Sequence, residues 1–361
     1  MARGKQIDQK MKPYLVYQYL MKHSDENNVV TTSELVAYLQ EIGISAERRS
    51  IYRDIEEINK AILIAEELAE DIDEACELIE DDEDEKAIIY DKSKKGFYVR
   101  NRHYDLPDIR MLAECVYSAK FIDRKRANRL VDVVCDLVSE AQAETLKHDV
   151  FLTDRVKTEN TAIYDIVQTI TEAMSHTLGG KPHTPEKIKF KYLKCTIQNL
   201  KGQVERRGGA EYIVSPFKLL INDGNYYLLA FEGGKMKHYR VDRMKNVKRI
   251  GEKREGDEEY KKIDLESYTQ SHFGMFGGIS EHVTLQFIEP LLDTMVDRFG
   301  TRGVIYGKKD EKHLTLTTKI EVSDQFFGWL CGFGRRVTVL APDSVVTKFK
   351  EHLDKMRELY N

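Results

Sequence analysis

At 361 residues the chain is long enough for two or three domains of about 150 residues each. Its 41 % hydrophobic and 32 % charged content is that of a globular protein. No apolar run approaches the ~18 residues of a membrane span, and the opening MARGKQIDQK lacks a signal-peptide core, so a cytoplasmic protein with no membrane partner is expected. Five scattered cysteines without a CxxC pair argue against disulfides and against a zinc site. The net charge of −5 conceals a pattern. Residues 66–85 hold thirteen acidic and no basic side chains, whereas 187–254 hold seventeen Lys and Arg against six Asp and Glu, a local excess of +11. Polyanion binding is expected at the basic stretch, and either charge masking or a solvated helix face at the acidic one.

The predicted elements begin with three short helices. KPYLVYQYLMKH is the first. TTSELVAYLQEIG is the second, capped by Thr31 or Thr32, burying Leu35, Val36 and Leu39, and ended by Gly43. In the third, Ile51, Ile55, Ile58 and Ile62 form one apolar stripe, and Ser45 is the expected N-cap. Arg49 and Arg53 fall nearly opposite that stripe, with Tyr52 between, and Arg48 precedes them. Three helices with a glycine turn and a basic face on the last are the plan of a helix-turn-helix that enters a DNA major groove. By themselves the three arginines fit a solvated surface helix equally well. The acidic stretch keeps a helical period through Ala65, Leu68, Ala69, Ile72, Ala75, Cys76 and Ile79. IIYDKSKKGFYVR, 88–100, reads as a hairpin with Lys94 and Lys95 at its turn.

Residues 105–178 read as three more helices, the first with a proline near its start, and GGKPHTP, 179–185, as a linker. The period then changes to two. KIKFKYLK, FKLLI and YYLLAF across an NDGN turn, and MKHYRVDRM are strands of a small β-barrel. The remainder alternates strand and helix, β-α-β-α-β-α, as a compact α/β domain. The ten histidines form no HExxH spacing, and neither a GxSxG elbow nor a P-loop occurs, so no catalytic residues, cofactor or metal are expected and the protein is not predicted to be an enzyme.

Three stretches carry family resemblances. ISAERRSIYRDIEEIN resembles the recognition helix of winged helix-turn-helix bacterial repressors, with Arg49, Ser50, Ile51, Arg53, Asp54 and Ile55 at matching positions. The resemblance implies that the hairpin is the wing, although in that family it follows the helix much sooner. The DNA-binding set is then Ser45, Arg48, Arg49, Ser50, Tyr52, Arg53, Lys94 and Lys95. SPFKLLINDGNYYLLAFEGGKMKHYRVDRMKNV, 215–247, resembles the WYL domain of bacterial regulators through Pro216, Leu219, Tyr227, Leu228, Arg240, Asp242 and Arg243, with Tyr226 in place of its tryptophan. HFGMFGG through FFGWLCGFGRRVTVLAP to the last helix resembles the extension that follows WYL domains.

Together these imply an α+β multidomain chain: a winged helix-turn-helix at 1–101, a helical linker at 102–180, an Sm-like WYL β-barrel at 181–254, and a linker with a C-terminal α/β extension domain at 255–361. The WYL resemblance implies an anionic, nucleotide or nucleic-acid ligand at Ser215, Tyr227, His238, Arg240 and Arg243. In strand parity His238, Arg240 and Asp242 share one face, and Tyr239, Val241 and Arg243 the other. Arg243 has a structural alternative, pairing with Asp242 or Asp223. The function predicted is a ligand-responsive transcription regulator that binds a double-stranded DNA operator as a homodimer. The alternative is an accessory protein whose barrel acts directly on a nucleic acid or on a partner enzyme.

Overall fold

The computed structural model describes residues 4–81, 85–100, 102, 104–149, 157–197, 199–264, 268, 271–275 and 277–361. The chain divides into two compact units, 1–157 and 158–361, the boundary falling inside the stretch expected as a helical linker. Among the described residues no helix is long and apolar enough to cross a membrane.

The first unit opens with α1 (Gly4–His23), α2 (Thr32–Glu41) and α3 (Arg48–Ala65). Thr31 caps α2 in a reciprocal box: its hydroxyl accepts from the Glu34 N–H at 3.2 Å, while Glu34 accepts from the Thr31 N–H at 2.7 Å. The cap of α3 is Glu47, not Ser45. Ile44 and Ala46 are buried, which leaves Ser45 exposed two residues before the Glu47 cap. Ser50 Oγ then accepts from the Glu47 N–H at 3.3 Å. Ile51, Ile55 and Ile58 of the stripe pack on Val16, Leu20, Leu35 and Leu39, and Ile62 lies at the margin.

β1 (Ile88–Asp91) and β2 (Gly96–Val99) form the expected hairpin, and Val30 adds a bridge to Phe97 with two 2.8 Å backbone bonds. Gly96 is required there, since a Cβ would stand 2.7 Å from the Val29 side chain and 2.9 Å from the Val30 carbonyl. Ile88, Phe97 and Val99 enter the same core as the α3 stripe. Asn59, buried on α3, fixes the register by donating to the Ile88 carbonyl at 2.9 Å and accepting its N–H at 2.8 Å. The acidic insertion does not disturb this docking. Its α4 (Ile72–Asp81) folds back on α3 through Ala69, Ala75 and Ile79 against Leu63. Leu68 and Ile72 of the expected period stay exposed.

Residues 105–149 form three helices where two were expected: α5 (Leu106–Ser118), α6 (Arg124–Cys135) and α7 (Glu140–Asp149). The extra break lies at Ser139, whose hydroxyl caps α7 by accepting the Gln142 N–H at 3.1 Å.

The second unit begins at α8 (Ile163–Met174). The GGKPHTP stretch is not a linker between units. Gly179 and Gly180 turn a short hairpin of β3 (Thr177–Leu178) and β4 (Lys181–Pro182) within this unit. A bent antiparallel sheet follows, of β5 (Glu186–Thr196), β6 (Asn199–Glu205), β7 (Glu211–Asn222), β8 (Asn225–Glu232), β9 (Lys235–Arg240) and β10 (Met244–Lys253). Its order is β10-β5-β7-β8-β9, with β6 on β5. The expected barrel is not closed: among the described residues no ladder joins β9 to β10, because a 3-10 turn at Val241–Arg243 carries the chain across the gap. The NDGN turn holds Asp223 and Gly224 at φ 49° and 71°, the two positive values a tight hairpin needs.

After α9 (Asp257–Lys261) comes a four-stranded sheet of order β12-β13-β11-β14. It is built from β11 (Ile279–Ile288), α10 (Leu292–Phe299), β12 (Ile305–Lys308), β13 (His313–Val322), α11 (Asp324–Cys331), β14 (Val337–Ala341) and α12 (Asp343–Glu358). The edge strand β12 is an addition to the expected order. Phe287, Phe299, Phe326 and Leu316 centre its core.

Candidate nucleic-acid and ligand sites

On α3 the stripe fixes the opposite face. Arg48, Arg49 and Arg53 are exposed. Among the described residues neither Arg49 nor Arg53 has a hydrogen-bonded or ion-paired partner. The neighbouring acid is already taken: Asp54 pairs with buried Lys12 of α1 at 2.8 Å. Ser50 does not belong to the face, since Lys12 Nζ donates to its Oγ at 3.1 Å and the Glu47 N–H also reaches it. Ser45 lies outside the helix, its carbonyl accepting from Gln9 at 2.9 Å. Tyr52 is a clamp on the hairpin more than a reader, with ring centroids 5.1 Å from Phe97 and 5.9 Å from Tyr90. At the hairpin turn Lys94 donates to the Glu26 carbonyl at 2.7 Å, whereas Lys95, like Lys92, is an exposed turn cation without a partner among the described residues. The structure thus keeps Arg49, Arg53 and Lys95 as available cations, engages Arg48 with the Tyr52 hydroxyl, and gives Ser45, Ser50, Tyr52 and Lys94 other work.

In the bent sheet, Tyr227 of β8 stands directly across from Arg240 of β9. Asp242, buried, holds the Arg240 guanidinium with two bonds of 3.0 and 2.8 Å, so the acid expected as a partner for Arg243 is engaged by Arg240. Strand parity ends at the 3-10 turn. Arg243 therefore comes round to the side of Tyr227 and Tyr192, near enough for its charge to act on both hydroxyls. Burial raises the Tyr227 hydroxyl above its ordinary range, with Arg240 and Arg243 acting against it. Arg243 is half-buried and among the described residues has no acid partner. A half-buried guanidinium without a counter-ion, its charge reaching two tyrosine hydroxyls, suits an anion with an aromatic or ribose-like body.

Two of the expected ligand residues are not at this site. Ser215 is buried, and its Oγ accepts the Glu255 N–H at 3.0 Å, latching the segment after β10. His238 packs against Tyr268 in a tilted and His272 in an edge-on arrangement, with centroids 5.4 and 5.3 Å away. Burial, then the neighbouring His272, lowers its pKa to about 4, so it is neutral at neutral pH. Because that value lies below the unfolded one, unfolding takes up a proton in the intervening range, and stability falls as the pH falls. Acidification from neutrality to about pH 5 is expected to cost on the order of 2 kcal/mol through this residue. Melting curves of the wild type and His238→Gln check it: the variant should show the shallower pH dependence, and parallel curves would contradict the assignment.

Sequence reasoning missed Tyr192 and the pair Arg206 and Arg207. Tyr192 belongs to a buried aromatic cluster with Phe190, Tyr212 and Tyr239, and its hydroxyl accepts the Arg240 N–H at 3.0 Å. The alternation in KIKFKYLK was the available signal. Arg206 and Arg207 lie over the rings of Tyr192 and Tyr212 at 5.7 and 4.6 Å. Conversely, much of the +11 charge excess is tied down across strands. Lys187 pairs with Glu255 at 2.8 Å, Lys189 with Glu211 at 3.1 Å and Lys191 with Glu205 at 2.8 Å. Among the described residues no three His, Cys, Asp or Glu side chains converge as metal ligands would.

Against this geometry, the family model described as the WYL domain matches residues 202–249, covering Tyr227, Arg240 and Arg243. The model described as the WCX domain matches 280–357, the four-stranded sheet and its helices. No curated protein matches the chain. One similar solved structure is that of proteasome accessory factor B/C (PafBC) of Arthrobacter aurescens, 13 % identical, covering 95 % of this chain and 47 % of that one, with a TM-score of 0.27. The chain thus spans about half the length of that protein. Another is a CRISPR Cas-related protein, 13 % identical over 95 % of this chain and 97 % of that one, with a TM-score of 0.34. The chain thus carries a WYL domain followed by a WCX domain.

Proposed function

We propose that this chain is a transcription regulator that acts by binding and not by catalysis. In this reading α1–α3 and the hairpin are a winged helix-turn-helix that reads a double-stranded operator, and the WYL domain senses an anionic, nucleotide-like ligand. The observation that carries the reading is the exposed, partnerless pair Arg49 and Arg53 on a helix clamped to a hairpin through Asn59 and Tyr52. A single short helix buries too little surface to discriminate a site, so two copies on a palindrome are part of the proposal.

Capture and sequencing of genomic fragments bound by the full chain tests it. The expected sites are palindromic, with half-sites about one helical turn apart and two protomers per site. Retention only of single-stranded or sequence-unrelated fragments would instead favour an accessory protein that works through the WYL domain.

A further inference from the structure

Within the first unit, α1 and α2 face α6 and α7 across a cavity of about 880 Å³. That volume lies in the ordinary range of small-molecule sites, about 300–1,000 Å³. One wall is aromatic: the Tyr19 ring lies 4.4 Å from both Tyr38 and His23, centroid to centroid, and all three are half-buried. Cys135 and Val138 supply buried apolar lining.

The charges around it are not balanced. Each basic group in the lining is already paired: Lys22 and His23 with the two oxygens of Glu140 at 3.0 and 2.9 Å, and Lys147 with Asp132 at 2.7 Å. Asp136 and Glu144 also line the cavity and are exposed, and among the described residues neither makes a hydrogen bond or ion pair, although the charge of Asp136 reaches Lys147. The aromatic wall sits in the same negative field. Burial first, and then Glu34, Tyr38, Glu140 and Glu41, raise the Tyr19 hydroxyl above its ordinary range. Aromatic rings beside carboxylates that no hydrogen bond or ion pair engages are the chemistry that holds an organic ammonium group, which loses little on leaving water when a ring quadrupole and a carboxylate replace its hydration.

We propose that this cavity binds an organic ammonium cation, its charged head held by the rings of Tyr19 and Tyr38 together with the carboxylates of Asp136 and Glu144. The site is separate from the WYL residues and from the arginine face of α3. Its occupant bridges the helices α1 and α2 to α6 and α7 and so couples their packing to an amine.

Calorimetric titration of the full chain at low salt with benzyltrimethylammonium, and with benzenesulfonate as an anion of similar shape, tests this. One cation per chain is expected, with no binding of the sulfonate. Tyr38→Phe should retain binding, since the ring face remains, whereas Tyr38→Ala should weaken it roughly ten-fold or more. The double variant Asp136→Asn, Glu144→Gln, on exposed side chains that make no hydrogen bond or ion pair, should weaken it similarly and keeps the test sound if Tyr38→Ala fails to fold. Equal binding of the sulfonate, wild-type cation affinity in the carboxylate variant, or no cation binding at millimolar concentration overturns the proposal.

Discussion

Replacing Arg49 and Arg53 together with alanine should remove specific DNA binding and leave the first unit folded. Both side chains point away from the Ile51, Ile55 and Ile58 stripe and neither holds another residue in place, so their loss touches no packing. Alanine also favours helix over arginine slightly. Each bidentate base contact contributes about 1–3 kcal/mol of discrimination, so losing two weakens operator binding by roughly 30- to 10⁴-fold. Any share of the loss that comes from phosphate contacts will appear as a shallower dependence of affinity on salt, by about 0.9 in the logarithmic slope per contact removed. Fluorescence anisotropy on the captured operator at two salt concentrations separates the two shares. An affinity within a few-fold of wild type would remove α3 from the interface. Ser50→Ala makes the informative contrast: its hydroxyl serves Lys12 and Glu47, so that variant should lower stability more than it alters base preference.

The α3 stripe was legible because it is local: four isoleucines at helical spacing need only one helix to be buried together. The same holds for the Thr31 cap, the hairpin turns and the alternation that put Phe190 and Tyr192 on one face. What was not legible depends on contacts between distant segments. Ser45 is a good capping residue by type, yet burial of Ile44 and Ala46 moves the helix start past it. Asn59 reads as an ordinary polar interruption of a helix until Ile88, 29 positions later, arrives to use both ends of its amide. Ser215 was misread for the same reason, because its partner lies 40 positions on at Glu255. Strand β12 escaped because it is a short edge with Ile305 exposed, so burial leaves no pattern in it. The ligand site was half legible. Tyr227 and Arg240 fall together by cross-strand register, but Arg243 depends on a 3-10 turn that period-two reasoning carries straight through.

That turn separates the roles of the two arginines, and the separation is the second large expected effect. Arg240 is a structural group as well as a candidate contact. Its removal strands the buried carboxylate of Asp242, and breaking a pair of this kind costs about 3–5 kcal/mol. Arg240→Ala is therefore expected to destabilise the WYL domain, and a lost ligand response in that variant says little about sensing. Arg243 carries no such duty. Arg243→Ala should melt with the wild type and bind the operator with wild-type affinity when no ligand is present. If an anion seated against Tyr227 and Arg243 favours one DNA-binding form over the other, a coupling of about 1–3 kcal/mol changes operator affinity roughly 5- to 150-fold. A nucleoside monophosphate and a short single-stranded oligodeoxynucleotide are suitable probes, since each offers an oxyanion for the guanidinium and a base for the tyrosine rings. The wild type should show the change with at least one of them, Tyr227→Ala should reduce it, and Arg243→Ala should abolish it at unchanged thermal stability. A wild-type response in Arg243→Ala, or operator affinity indifferent to both probes in the wild type, would sink the sensing role. Loss of operator binding by Arg243→Ala without any ligand would place the WYL surface on the DNA itself, where the Arg243 guanidinium would serve as a phosphate contact and not as a sensor.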